Sequence, residues 1–178
     1  AIGSEAHLLI DVWALENSGD ALEAARAFAK FDPFWFEEPI AGERIDEMAV
    51  IRRQVDMPIV TGERQMGMHH FRSVLDKNAA DILNPDILGA GGVLDMIDIA
   101  RLAESYGVRV APHCSIGPVA LCAALHVDWS TPNVAIQECF AEYDVPWRSD
   151  LVCGWNPIEN GYYALPDKPG LGIELNTT

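Results

Sequence analysis

The sequence predicts an α/β protein, a partial TIM-like (β/α) barrel of about six βα units. Three observations carry that expectation. Six short apolar runs end in a carboxylate or an imidazole, at Asp11, Glu37, Glu63, Asp86, His113 and Glu138, in steps of 26, 26, 23, 27 and 25 residues. Helix-period segments lie between the runs. The runs are continuously apolar rather than alternating, as in parallel strands covered on both faces. An open doubly wound sheet also alternates strand and helix, but it gathers ligand residues at one switch point. A functional residue at every strand end belongs to the barrel, whose strand ends all face one site. A whole barrel has eight strands in about 250 residues. The chain has 178 residues and does not open on Met, so two strands are expected upstream of Ala1.

In chain order, Leu8–Ile10 reads as the first strand. Ser18 or Asp20 is positioned to cap a helix over 21–31, whose Leu22, Ala25, Phe28 and Ala29 share a face. Asp32-Pro33 ends it. Phe34–Phe36 is the second strand, followed by a helix from Ile45 to about Val55. Pro58–Val60 is the third strand, and Phe71, Val74 and Leu75 mark a short helix after it. His69 and His70 open that helix and read as surface or capping residues. Ala80–Leu83 is the fourth strand. Gly89-Ala90-Gly91-Gly92 lacks the spacing of a dinucleotide fingerprint and reads as a tight turn before a helix over 93–106. Val108–Ala111, a helix over 118–127 and a sixth strand, Val134–Ile136, complete the series.

Composition narrows the function classes. A net charge of −15, from 27 acidic against 12 basic residues, argues against nucleic acid, which needs a basic face. An anionic small substrate stays possible where a bound cation reverses the local charge. No run of 18 apolar residues is present, so no membrane span is expected, and no signal peptide is visible at the N-terminus. The cysteines, Cys114, Cys122, Cys139 and Cys153, form no C-x-x-C pair; Cys114 and Cys122, in apolar surroundings, read as buried free thiols in a reducing cytoplasm.

Asp11, Glu37 and Glu63 end consecutive strands, which lie about 5 Å apart across a ladder. Carboxylates that close repel one another unless a cation sits between them. A hard divalent ion with oxygen ligands is the natural occupant. Asp86 stands one strand before His113, where it can accept a hydrogen bond from the ring and fix its tautomer. A metal beside a His–Asp pair suggests proton abstraction from carbon.

These residues carry a resemblance. Asp11, Glu37-Glu38-Pro39, Gly62-Glu63, Pro85-Asp86, Gly91-Gly92, Ala111-Pro112-His113-Cys114, Gln137-Glu138 and Pro169-Gly170-Leu171-Gly172 together resemble the enolase superfamily. The mandelate racemase/muconate lactonizing enzyme-like branch fits best, and within it the sugar-acid dehydratases of the D-galactonate type. The resemblance covers essentially the whole chain. It implies that residues 1–178 are the C-terminal portion of a modified (β/α)7β barrel, with the N-terminal capping domain and first strands absent. It implies Mg2+ on Asp11, Glu37 and Glu63, with His113 as general base or acid, paired with Asp86. Superfamily sites with a Lys or His base and Mg2+ stabilising an enediolate are a general pattern. Glu138 would hydrogen-bond the substrate carboxylate as it becomes the enediolate, and strand alternation points Glu38 elsewhere. Arg64 and Trp13 are expected to contact substrate, Arg64 alternatively bracing a carboxylate. Trp13 departs from the family pattern. Galactonate dehydratases carry a His at this position, and an indole offers no proton to a departing hydroxide.

The activity so implied is Mg2+-dependent dehydration of an acid sugar to a 2-keto-3-deoxy acid, by a cytoplasmic homo-oligomer. Racemisation, epimerisation or cycloisomerisation within the same superfamily is the first alternative. A fragment acting as a binding or structural module is the second.

Overall fold

The structure is a computed structural model that describes residues 3, 5–140, 146–154, 158–164 and 166–177. Five parallel strands form one sheet: β1 (Leu9–Asp11), β2 (Trp35–Glu37), β3 (Ile59–Thr61), β4 (Ile82–Leu83) and β5 (Arg109–Val110). Their order in space is their order in sequence. The sheet has no reversal of winding and hence no switch point, which removes the doubly wound alternative. The connecting helices are α1 (Ser18–Ala29), α2 (Ile45–Gln54), α3 (Met68–Asp76), α4 (Ile87–Ala90), α5 (Val93–Ser105) and α6 (Pro118–Trp129).

The continuity of the apolar runs has a direct cause. Ile10, Phe36, Ile59, Leu83 and Val110 face outward and join the helices' Ala25, Met48, Ile51, Phe71, Ile99 and Leu121 in the main core. The alternate residues Leu9, Trp35, Val60, Ile82 and Ala111 pack together in a second, inner cluster. β2, β3 and β4 therefore bury both faces. The inner parity carried one step further along each chain gives Asp11, Glu37, Asn84 and His113.

Three local expectations are corrected. The strand at Val134–Ile136 does not form. Val134 makes one parallel bridge to Val110, with Ala135 N–H donating to the Val110 carbonyl at 2.7 Å. Pro112 then has no N–H to continue the ladder, and the Gln137 side-chain amide takes its carbonyl at 2.9 Å. The cap of α1 is Asn17, whose Oδ1 accepts from Asp20 N–H at 3.0 Å. Ser18 instead donates its hydroxyl to Glu47 on α2. The glycine-rich stretch is half helical: α4 runs through Gly89 and Ala90, and the chain turns at Gly91 and Gly92, with φ of 120° and 98°.

An element not expected from the sequence follows α6. A 3-10 turn at Pro146–Leu151 leads to β6 (Val152–Cys153), which pairs antiparallel with β7 (Glu174–Leu175). Cys114 and Cys122 are buried free thiols, Cys139 is half-buried and Cys153 is exposed. Among the described residues no helix is long and apolar enough to cross a membrane.

Candidate active site

The carboxylates at the ends of β1 and β2 and just beyond β3 converge. Asp11, Glu37 and Glu63 each offer an oxygen, and these oxygens all lie within 4.8 Å of one another. Register explains part of this: Asp11 pairs directly with Glu37 in the β1–β2 ladder. Asp11 Oδ1 also accepts from the Trp13 N–H at 2.8 Å. Glu37 is buried, and burial together with the charges of Asp11, Glu138 and Glu63 lifts its carboxyl to about 8. A cation among these oxygens would relieve that repulsion. An all-oxygen, hard donor set with room for further ligands fits Mg2+.

His113 lies beside the three carboxylates. Its Nδ1 is 2.8 Å from Asp86 Oδ2, and its Nε2 is 3.2 Å from Glu63 Oε2 and 3.7 Å from Glu138 Oε2. Asp86 is held in turn by α4, whose Leu88 and Gly89 N–H groups donate to Oδ1 at 2.8 and 3.1 Å. Burial alone would push Asp86 up, but the bonds from His113, Gly89 and Leu88 hold it below its ordinary value. For His113, burial opposes charge; the Asp86 bond and the Glu138, Glu63 and Asp86 charges overcome it and raise the imidazole to about 9. With Asp86 ionised on one nitrogen, Nε2 is left to exchange a proton within the site. Glu138 Oε2 accepts from Cys114 N–H at 2.9 Å, and burial nonetheless holds this carboxyl above its usual range.

A pocket of about 210 Å³ is lined by Asp11, Trp35, Glu37, Asn84, His113 and Glu138 among others. Trp13 and Arg64 form a unit at the end of β1. The Arg64 guanidinium stacks over the Trp13 ring at 4.4 Å, donates to the Trp13 carbonyl at 2.6 Å, and brings Nε to 3.6 Å from Glu63 Oε1. Trp13 and Ala14 are both left-handed, with φ of 51° and 78°. Such backbone persists where its surroundings over-determine it; here the Ala14 N–H bonds the Glu38 carbonyl at 2.7 Å.

Two neighbours of Glu37 carry no expectation from the sequence. Trp35 Nε1 donates to Glu37 Oε2 at 3.0 Å, and Asn84 Nδ2 donates to Oε1 at 2.6 Å. Both lie on the inner parity of their strands, the one signal that marks them. Glu38 turns away from the site, with φ of 43°. It is fully buried, where its Oε1 accepts from Thr61 Oγ1 at 2.7 Å and Gly62 N–H at 2.9 Å.

The profile of the family described as Enolase C-terminal domain-like matches residues 1–178. The chain belongs to that family. This enolase-type domain is 32% identical over 181 residues to a D-galactonate dehydratase from Ralstonia nicotianae, covering 99% of the chain and 47% of the relative. It is 33% identical to a D-gluconate/D-galactonate dehydratase from Picrophilus torridus, covering 97% of the chain and 44% of the relative. A solved mandelate racemase/muconate lactonizing enzyme from Sulfitobacter sp. superposes with a TM-score of 0.94 at 34% identity, over 99% of the chain and 44% of that structure. The chain thus spans about half the length of the curated relatives it matches. The singly wound, strand-after-strand sheet of this enolase-type domain accords with a barrel read from the sequence.

Proposed function

We propose that residues 1–178 are the C-terminal portion of a catalytic barrel domain that dehydrates acid sugars with Mg2+ held by Asp11, Glu37 and Glu63. The observation that carries this reading is the convergence of three carboxylate oxygens within 4.8 Å, beside a His113 whose far nitrogen is fixed by Asp86. A bound divalent cation supplies positive charge to a substrate carboxylate as its α-carbon loses a proton.

His113, in the neutral form that a cation offsetting the Glu63 charge would favour, removes that proton at Nε2: the α C–H bond breaks and its electron pair moves toward the carboxylate. Glu138, whose carboxyl burial favours keeping a proton, hydrogen-bonds the carboxylate oxygen on which charge develops. The C–O bond to the β-hydroxyl then breaks as the α–β double bond forms, and His113 returns the proton so that water leaves. The enol product tautomerises to a 2-keto-3-deoxy acid. Among the described residues Trp13 offers no second acid, and His113 serves both proton transfers. Arg64 and Trp13 form the edge that the sugar's far end meets. The buried thiols of Cys114 and Cys122 support a reducing, cytoplasmic setting.

The test is an acid-sugar panel with Mg2+, read as 2-keto acid. His113→Asn is expected to lower kcat/KM by about 10²–10⁴-fold, and Glu63→Gln to abolish turnover. Full activity in either variant overturns the assignment. A second reading, racemisation or cycloisomerisation, draws support from the similarity to the Sulfitobacter structure, whose name includes a racemase, and to a 3,6-anhydro-D-galactonate cycloisomerase from Zobellia galactanivorans. Exchange of the α-hydrogen with solvent deuterium, without keto acid, would select it.

A further inference from the structure

Glu37 accepts two hydrogen bonds, one on each oxygen, and both donors are uncharged. Trp35 approaches Oε2 from two residues back on the same strand. Asn84 approaches Oε1 from β4, across the intervening β3. In a barrel, inward side chains of alternate strands share a layer, so β2 and β4 bring Glu37 and Asn84 to one level.

Gly62 follows β3 at that place. A Cβ on it would stand 3.0 Å from the Asn84 backbone nitrogen and 3.1 Å from its Oδ1. Gly62 is held at φ 149°, and its N–H is tied to Glu38 Oε1 at 2.9 Å. A side chain on Gly62 would therefore crowd Asn84 itself, the residue whose amide reaches Glu37.

The Asn84 amide makes little sense as a support of the core. The residue is 2% exposed, yet its Oδ1 is buried with no hydrogen-bond partner among the described residues. An apolar side chain would avoid that cost, as Ile82 and Leu83 do beside it. The bond to Glu37 is what the amide gains. With Glu37 ionised, as a metal ligand must be, reversing the amide would set oxygen against carboxylate oxygen, so Nδ2 faces Glu37.

We propose that Asn84, reaching across Gly62, is a positioning residue for the metal ligand Glu37. Together with Trp35 it occupies one lone pair on each oxygen and leaves the others aimed at the cation. Neutral donors orient the carboxylate without cancelling its charge, which a Lys or Arg at either place would do. The proposal rests on the metal reading of the three carboxylates.

The test is Mn2+ binding to the whole chain by calorimetry, with thermal unfolding of the cation-free proteins alongside. Asn84→Ser removes the reach, and Asn84→Leu fills the volume without a donor. The expected result is Mn2+ binding about 10–100-fold weaker in both, with the cation-free unfolding temperature of Asn84→Leu unchanged or higher. Affinity within twofold of the unsubstituted chain, in either folded variant, overturns the proposal while leaving the metal reading intact. Failure of both variants to fold overturns it too, because Asn84 would then serve the fold. No Mn2+ binding by the unsubstituted chain overturns both readings at once.

Discussion

Gly62 shows how a residue without a side chain decides what its neighbours do. Its φ of 149° and the closeness of the Asn84 backbone leave an alanine there no relaxed place. Gly62→Ala is expected to lower stability by about 1–3 kcal/mol in urea denaturation. It should also weaken Mn2+ binding as the Asn84 substitutions do, since the backbone it displaces is that of Asn84. An alanine variant with unchanged affinity would show that the Asn84 path is not closed by a methyl group. The residues that carry charge were legible from spacing alone, because each ends an apolar run. Asn84 was not. Next to Pro85, an Asn reads as a turn former, and only its parity with Ile82 and Asp86 marks it as inward. Which carboxylates meet which donors depends on the stagger between strands, a quantity that spacing along the chain does not contain.

At the scale of elements, α6 holds an unusual group. Asp128 lies in its last turn, with both carboxyl oxygens buried and without partners among the described residues. Burial lifts its carboxyl from 3.8 to about 7. The folded chain therefore keeps a proton that the unfolded chain releases above about pH 4, and stability falls as pH rises from about 4 to about 7, then levels. Asp128→Asn cannot ionise, so its advantage over the unsubstituted chain should grow across that window, to at most about 4 kcal/mol. Urea midpoints at pH 4, 5.5 and 8 measure it; a pH-independent difference would mean that the carboxyl is solvated. The elements themselves were largely legible, since two-sided burial leaves continuous apolar runs and helices keep their period. The sixth strand failed on a single backbone fact, the missing N–H of Pro112, whose partner strand is known only once the register is seen. The β6–β7 ribbon pairs Val152 with Leu175 and Cys153 with Glu174, too short for any periodicity to announce.

At the scale of the whole molecule, three strands contribute the carboxylates, so a cation joins segments that are far apart in sequence. Mg2+ at a hundredfold excess over its dissociation constant should add about 2.7 kcal/mol to stability, and a chelator should remove it. Thermal unfolding with and without Mg2+ checks this, with Glu63→Gln expected to abolish the shift. The pairing of Asp11 with Glu37 supplies one more consequence. The Val12 amide bonds the Glu37 carbonyl, so one backbone bond ties together the segments that carry two of the three ligands. An ion held between those ligands resists local opening of that bond. Hydrogen exchange at the Val12 amide should therefore slow when Mg2+ is added. Exchange at the Asn84 amide, bonded to Thr61, should change little. The ion would then act as a clasp on neighbouring strands, setting how long the first ligand stays in place between turnovers.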